Sequence, residues 1–272
     1  MRSAAYPIGV FDSGVGGLSV LREIRRELPA ENLIYVADSA HAPYGDKARE
    51  FIEARSFAIT RFLLHCGAKA IVVACNTATG AAVTSLRSHF TLPIVAMEPA
   101  IKPAAAQTTT GVIGVLATRR TLAGQNFVKL FARYGSDVEI LAQACPGLVE
   151  QVEAGDLAGE KTRDLLENYV IPLVARGADT LVLGCTHYPF LRPLIQEIAG
   201  PNVVVIDSSD AVARQLRHRL VAHGLLADTG ECGVEQFWTS ADPTKTAAII
   251  AELWKPDIKV AKLLEPDSQS AG

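Results

Sequence analysis

The sequence predicts an α/β protein built from two similar halves, each a mostly parallel sheet covered by helices. Three observations carry this. Strand-length apolar runs alternate with helix-like stretches along the chain. The series restarts near residue 111, where Gly111-Val112-Ile113-Gly114-Val115-Leu116 resembles the opening run from Pro7 to Phe11. A thiol-bearing turn also occurs twice, 110 positions apart, as Ala70-Ile71-Val72-Val73-Ala74-Cys75-Asn76-Thr77 and Thr180-Leu181-Val182-Leu183-Gly184-Cys185-Thr186-His187.

In order, Ile8 to Phe11 reads as a strand, followed by a glycine turn and a helix in which Leu18, Leu21 and Ile24 share one side. Asn32 to Ala37 is the next strand. Arg49 to Leu64 reads as a helix with Phe51, Ala54, Ala58 and Phe62 on one side. Strands follow at Ala70 to Ala74 and Leu92 to Met97, then after the restart at 111–116, Val138 to Leu141, Thr180 to Leu183 and Val203 to Ile206. β-branched, continuous apolar strands are those of parallel sheets buried on both faces. Beyond residue 208 a helix (Ala211 to His223), a short strand (Gln236 to Thr239) and a helix (Thr244 to Trp254) complete the series, and Glu265 to Gly272 is a polar, frayed end. The tail is expected to return to the first half. The expected division is a discontinuous first domain, 1–98 plus 209–272, and a second domain, 99–208.

Composition narrows the function. Nearly half of the 272 residues are hydrophobic and the net charge is −3, so neither a nucleic-acid footprint nor a basic membrane-binding surface is expected. Met1 to Tyr6 has no apolar core, and no apolar run approaches a membrane span, so a cytoplasmic protein is expected. Five cysteines, an odd count without a Cys-x-x-Cys pair, argue against a disulfide framework or a structural zinc site. A zinc site of Cys75, Cys185 and His187 fits no familiar ligand spacing.

In parallel α/β sheets ligands bind beyond the carboxyl ends of the strands. Cys75 and Cys185 both fall there, each at an expected helix start, where backbone N–H groups and the helix dipole favour a thiolate. A lone cysteine is most often a small buried hydrophobe, and that reading suffices for Cys66, Cys145 and Cys232. The matched pair favours function, because opposed thiols can take a proton from one face of a carbon and return it to the other. The first turn, Asp12-Ser13-Gly14-Val15-Gly16-Gly17, reads as an anion cradle or as an ordinary strand–helix turn. It fits neither a dinucleotide fingerprint nor a P-loop. Asp12 reads as an N-cap or an acid/base assistant, and His187 as a proton donor beside Cys185 or a structural hydrogen-bonder. Pro43-Tyr44-Gly45 alone reads as a turn.

Taken together, Phe11-Asp12-Ser13-Gly14-Val15-Gly16-Gly17-Leu18, Pro43-Tyr44-Gly45, Ala74-Cys75-Asn76-Thr77-Ala78, Gly184-Cys185-Thr186-His187-Tyr188-Pro189 and Ile206-Asp207-Ser208 resemble the glutamate racemase family, within the wider aspartate/glutamate racemase group. The resemblance implies two α/β domains related by a pseudo-two-fold axis, with the site in the cleft between them. It implies interconversion of L- and D-glutamate without pyridoxal phosphate, metal or nucleotide, with D-glutamate feeding peptidoglycan synthesis, and homodimers are common in the family. It makes Cys75 and Cys185 the two acid/base groups, Cys75 acting on D-glutamate and Cys185 on L-glutamate. Asp12 assists Cys75, His187 assists Cys185, and Glu153 is a supporting carboxylate. Asp12, Ser13, Pro43, Tyr44, Gly45, Asn76, Thr77, Thr118, Thr121, Thr186 and His187 match substrate-binding positions. Two places depart from the family pattern. Ala117-Thr118-Arg119-Arg120-Thr121 lacks both glycines of the usual Gly-Thr-x-Gly-Thr turn, and Glu150 stands where many members carry proline. The competing expectations are an aspartate or hydantoin racemase, a one-cysteine decarboxylase, and an amino-acid-binding regulator without catalysis.

Overall fold

The structure is a computed structural model that describes residues 4–227 and 230–263; the expected frayed end at 265–272 lies outside the described residues. Among the described residues the strands are β1 Ile8–Asp12, β2 Leu33–Ala37, β3 Ala70–Val73, β4 Ile94–Ala96, β5 Val112–Ala117, β6 Glu139–Ala144, β7 Thr180–Leu183, β8 Val204–Ile206, β9 Glu235–Thr239 and β10 Val260–Lys262. The helices are α1 Leu18–Glu27, α2 Arg49–His65, α3 Asn76–His89, α4 Ile101–Gln107, α5 Arg119–Ala123, α6 Gln125–Tyr134, α7 Leu148–Glu153, α8 Glu160–Ala175, α9 Arg192–Ala199, α10 Ser209–Ala222 and α11 Pro243–Leu253. No described helix is long and apolar enough to cross a membrane.

The strands form two sheets, β10-β9-β2-β1-β3-β4 and β6-β5-β7-β8, and every pairing between them is parallel. The restart seen in the sequence is therefore a repeat of topology. Four strands of each sheet follow the same order: second, first, third, fourth. β1, β2, β3 and β7 are buried along their whole length, as continuous apolar runs in covered parallel sheets should be. The chain beyond residue 222 returns to the first sheet, where β9 pairs with β2 and β10 with β9. β10 was not legible in the sequence, because Val260-Ala261-Lys262 is too short to show a period.

One core cluster runs through both halves, from Val10 and Val72 in the first sheet, past Leu148 and Tyr188, to Leu116 and Leu183 in the second. Two smaller clusters remain, one on the other face of each sheet. The expected helix α2 is present, and its packing selects one side. The buried side of α2 is Ile52, Ser56, Ile59 and Leu63 with Arg55, whereas Phe51 and Ala54 face solvent. Both stripes have helical spacing, and α2 turns inward the one that meets the β-sheet and α3. Phe51 instead lies against His41, with ring centroids 5.5 Å apart.

In each sheet the strand order reverses between its first and third strands. Such a switch point opens a crevice at the carboxyl ends of the strands. The segments leaving β1 and β3 carry Asp12, Ser13 and Cys75. Those leaving β5 and β7 carry Thr118 and Cys185.

Candidate active site

A small cavity lies between the two sets of strand ends. Ser13, Pro43, Tyr44, Gly45, Cys75, Asn76, Thr77, Thr118, Cys185, Thr186 and His187 line it, together with Val149 and Gly184. Asp12, Thr121 and Glu153 stand behind this wall. Both thiols thus face one enclosed space from opposite halves of the chain. Among the described residues no group of three or more His, Cys, Asp or Glu side chains is placed to hold a metal ion.

Cys75 is the N-cap of α3. Its Sγ accepts the Ala78 N–H at 3.4 Å and lies 3.7 Å from Ser13 Oγ. Ser13 in turn donates to Asp12 Oδ1 at 3.3 Å. Asp12 is fully buried. Its Oδ2 accepts the Gly17 N–H at 2.7 Å and the Thr186 hydroxyl at 3.2 Å, the latter reaching across from the second half. Burial raises the Asp12 carboxyl above the usual carboxylate range, although His187 pulls it back. Burial and the neighbouring Asp12 push the Cys75 thiol well up. The expected lowering by the helix start is present in the Ala78 N–H bond, but it loses to desolvation.

Cys185 is built differently. No α-helix starts after it; a turn leads to a 3-10 segment, Tyr188–Leu191, and only then to α9. Pro189 and Pro193 lack the N–H groups that a continuous α-helix would need along this stretch. The partner of Cys185 is a side chain: His187 Nδ1 lies 3.7 Å from its Sγ. The other imidazole nitrogen is 2.7 Å from Glu153 Oε1. Burial of His187, 1% exposed, would lower its pKa, but Cys185 and Glu153 outweigh burial and hold it well above the ordinary value. The ring thus stands between the thiol and the carboxylate.

Glu153, at the end of α7, also accepts the Val15 N–H at 2.7 Å and the Ser39 hydroxyl at 3.0 Å. One carboxylate therefore ties the first turn, the segment after β2 and His187 together. This explains the glycines of the first turn. A Cβ on Gly14 would lie 1.8 Å from Glu153 Oε1, and one on Gly16 would lie 2.3 Å from His187 Nδ1. The close approach is made to these side chains.

Thr77, Thr118 and Thr121 form a triangle of hydroxyls 3.0 to 3.1 Å apart that joins α3 to the start of α5. Thr118 caps α5 by accepting the Thr121 N–H at 3.2 Å, so the turn without glycines closes by side-chain capping. Asn76 is 7% exposed, and neither polar atom of its amide has a hydrogen-bond partner. It stands at the cavity wall and at the start of α3. Sequence reasoning missed Val149, Ser39 and Tyr35, whose buried hydroxyl donates to the Gly14 carbonyl at 2.6 Å. None of them sits in a motif, and their neighbours here come from distant parts of the chain.

Comparison with known proteins agrees with this architecture. A glutamate racemase of Methylococcus capsulatus is 57% identical over 254 residues, covering 93% of this chain and 94% of that protein. The crystal structure of a glutamate racemase isoform from Bacillus anthracis superimposes with a TM-score of 0.84 at 33% identity, covering 96% of this chain and 98% of that one. Escherichia coli glutamate racemase, in complex with L-glutamate and the activator UDP-MurNAc-ala, gives a TM-score of 0.83 at 32% identity, covering 94% and 97%. The family model for Asp/Glu/hydantoin racemases matches residues 8–216, and with two thiols facing one cavity from its two strand-end crevices, the chain belongs to that family.

Proposed function

We propose that this chain is a glutamate racemase that inverts the α-carbon by two-thiol proton transfer, without a cofactor. The observation that carries the reading is the pair Cys75 and Cys185, lining one cavity from opposite halves. In the L-to-D direction the Cys185 thiolate, held by the His187 imidazolium, removes the α-proton. The Cys75 thiol delivers a proton to the opposite face. The reverse reaction exchanges the roles. An α-proton is a weak acid, so the developing charge needs preorganised donors in a closed site. Asn76 and the first N–H groups of α3 serve the α-carboxylate, and Ser13, Thr77, Thr118 and Thr186 complete the polar wall. Asp12 stands behind Ser13 as the reserve for Cys75, and Glu153 behind His187 as the reserve for Cys185.

The substrate assignment follows the relatives named glutamate racemases. The D-glutamate formed would supply peptidoglycan synthesis in the cytoplasm. The reading also divides the chain into lobes 1–98 plus 209–272 and 99–208, supported by β9 and β10 joining the first sheet. The test is incubation with L-glutamate in D₂O, read by circular dichroism and mass analysis, with L-aspartate in parallel. Loss of optical activity with one α-deuterium, for glutamate, is expected. Turnover of aspartate alone would move the assignment to the sister activity, and silence with both would leave a binding protein.

A further inference from the structure

The segment from Asp38 to Lys47 presents Pro43, Tyr44 and Gly45 to the cavity. Its regular structure is two short 3-10 turns, Ser39–His41 and Tyr44–Asp46. A wall with so few internal hydrogen bonds must be held from outside. The holding group is Asp38, which is fully buried. Arg55 on α2 grips it with both arms of its fork, Nε to Oδ2 at 3.0 Å and Nη2 to Oδ1 at 2.8 Å. The Tyr44 hydroxyl donates to Oδ2 at 2.5 Å, and His41 Nδ1 lies 3.0 Å from Oδ1. Burial alone would raise the Asp38 carboxyl, but the Arg55 and Tyr44 hydrogen bonds hold it below its usual range, so it stays an anion.

Neither Asp38 nor Arg55 lines the cavity. Arg55 nevertheless occupies the inward stripe of α2 at 8% exposure, a costly place for a cation without a fixed partner. What the pair holds is the substrate-facing wall. Beyond Tyr44, Gly45 presses on the opposite half, where an added Cβ would lie 3.0 Å from Thr118. Ser39 and Ala40 have their own anchors, Glu153 and the Ser240 hydroxyl. Those bonds secure the start of the segment; farther along, the Tyr44 ring is buried in the core and its hydroxyl is tied to Asp38.

We propose that Arg55, acting through Asp38, is a positioning residue that holds Tyr44 and Gly45 against the substrate and so sets substrate affinity without taking part in proton transfer. This rests on the racemase reading above. Arg55→Lys keeps the charge but loses the planar fork. It is expected to raise KM about tenfold for both enantiomers, with kcat within about threefold of wild type. The α-deuterium isotope effects stay as they are, because the thiols are untouched. Tyr44→Phe cuts the same link at its other end and raises KM in the same direction. The double variant is no worse than the more affected single one, since both act through one attachment.

Steady-state kinetics of the full chain with L- and D-glutamate, beside thermal melts, make the test. A lower apparent kcat at unchanged KM, tracking a smaller folded fraction, would mean that Arg55 is merely structural and would overturn the proposal. So would altered isotope effects, or strictly additive variants. If Arg55→Lys does not fold, Tyr44→Phe decides alone, and an unchanged KM there overturns the link. Wild type separates the two claims. Activity on glutamate with no KM shift in the variants removes the positioning role only, whereas a wild type silent toward glutamate removes both.

Discussion

Cys75 and Cys185 end equivalent strands in equivalent sheets, yet their surroundings are chemically unlike. Cys75 caps a long α-helix and is backed by Ser13 and a buried carboxyl, Asp12, and both the thiol and the carboxyl are pushed towards their protonated forms. Cys185 precedes a 3-10 turn and is backed by a cation, His187, locked by Glu153. One thiol sits at a helix start beside a carboxyl, and the other sits beside an imidazole. A repeated motif has thus been given two different sets of neighbours.

The comparison breaks first at the thiols. Cys75→Ala and Cys185→Ala should each lower racemisation more than about 10³-fold, measured by polarimetry. Full activity in either variant would end the two-thiol mechanism.

The helpers sharpen it. His187→Asn and Asp12→Asn should each cost about 10²-fold in kcat/KM, equally in both directions, because the two enantiomers have equal free energy. The asymmetry will appear in the α-deuterium isotope effect. It should grow from L-glutamate in His187→Asn, where removal of the proton by Cys185 becomes the slow step, and from D-glutamate in Asp12→Asn. The same pattern in both variants would show that the helpers do not belong to separate thiols.

A smaller effect is expected at Gly14→Ala. The new methyl would take the place of Glu153 Oε1, so Glu153 must leave the Val15 N–H and His187. Activity should fall about tenfold with KM nearly unchanged, and near-wild-type kcat would show that Glu153 is dispensable.

The smallest effect concerns pH and stability. His187 has a folded pKa raised above its unfolded value. Its stabilisation is fully present below the unfolded value, about 6.5, and is lost as pH rises through the folded one. Melting temperature should therefore decline with pH across that window in wild type and less so in His187→Asn. Parallel curves would remove the imidazolium from the account.

Much of this was legible beforehand. The alternation of strands and helices, the restart near residue 111 and the two cysteines at strand ends are local patterns, and the structure places them as the pattern suggested. The inward side of α2 was not, because Phe51-Ala54-Ala58-Phe62 and Ile52-Ser56-Ile59-Leu63 both have helical spacing. Only packing chooses between them. Nor was the purpose of the first-turn glycines legible, since the groups that require them, Glu153 and His187, lie more than a hundred positions away.

By itself, then, the sequence determined most of the strands, their alternation with helices and the chemistry available at each strand end. Those follow from side-chain periodicity and from backbone preferences within a few residues. The tertiary structure decided which groups meet. It set Thr186 on Asp12, Glu153 on Val15, Ser39 and His187, and Arg55 beneath Tyr44. It also decided that the matched cysteines acquire different neighbours, and that the Cys75 thiol is pushed up by burial. Desolvation and partner charge act through distance in the folded chain, and that distance is set by how the two sheets dock.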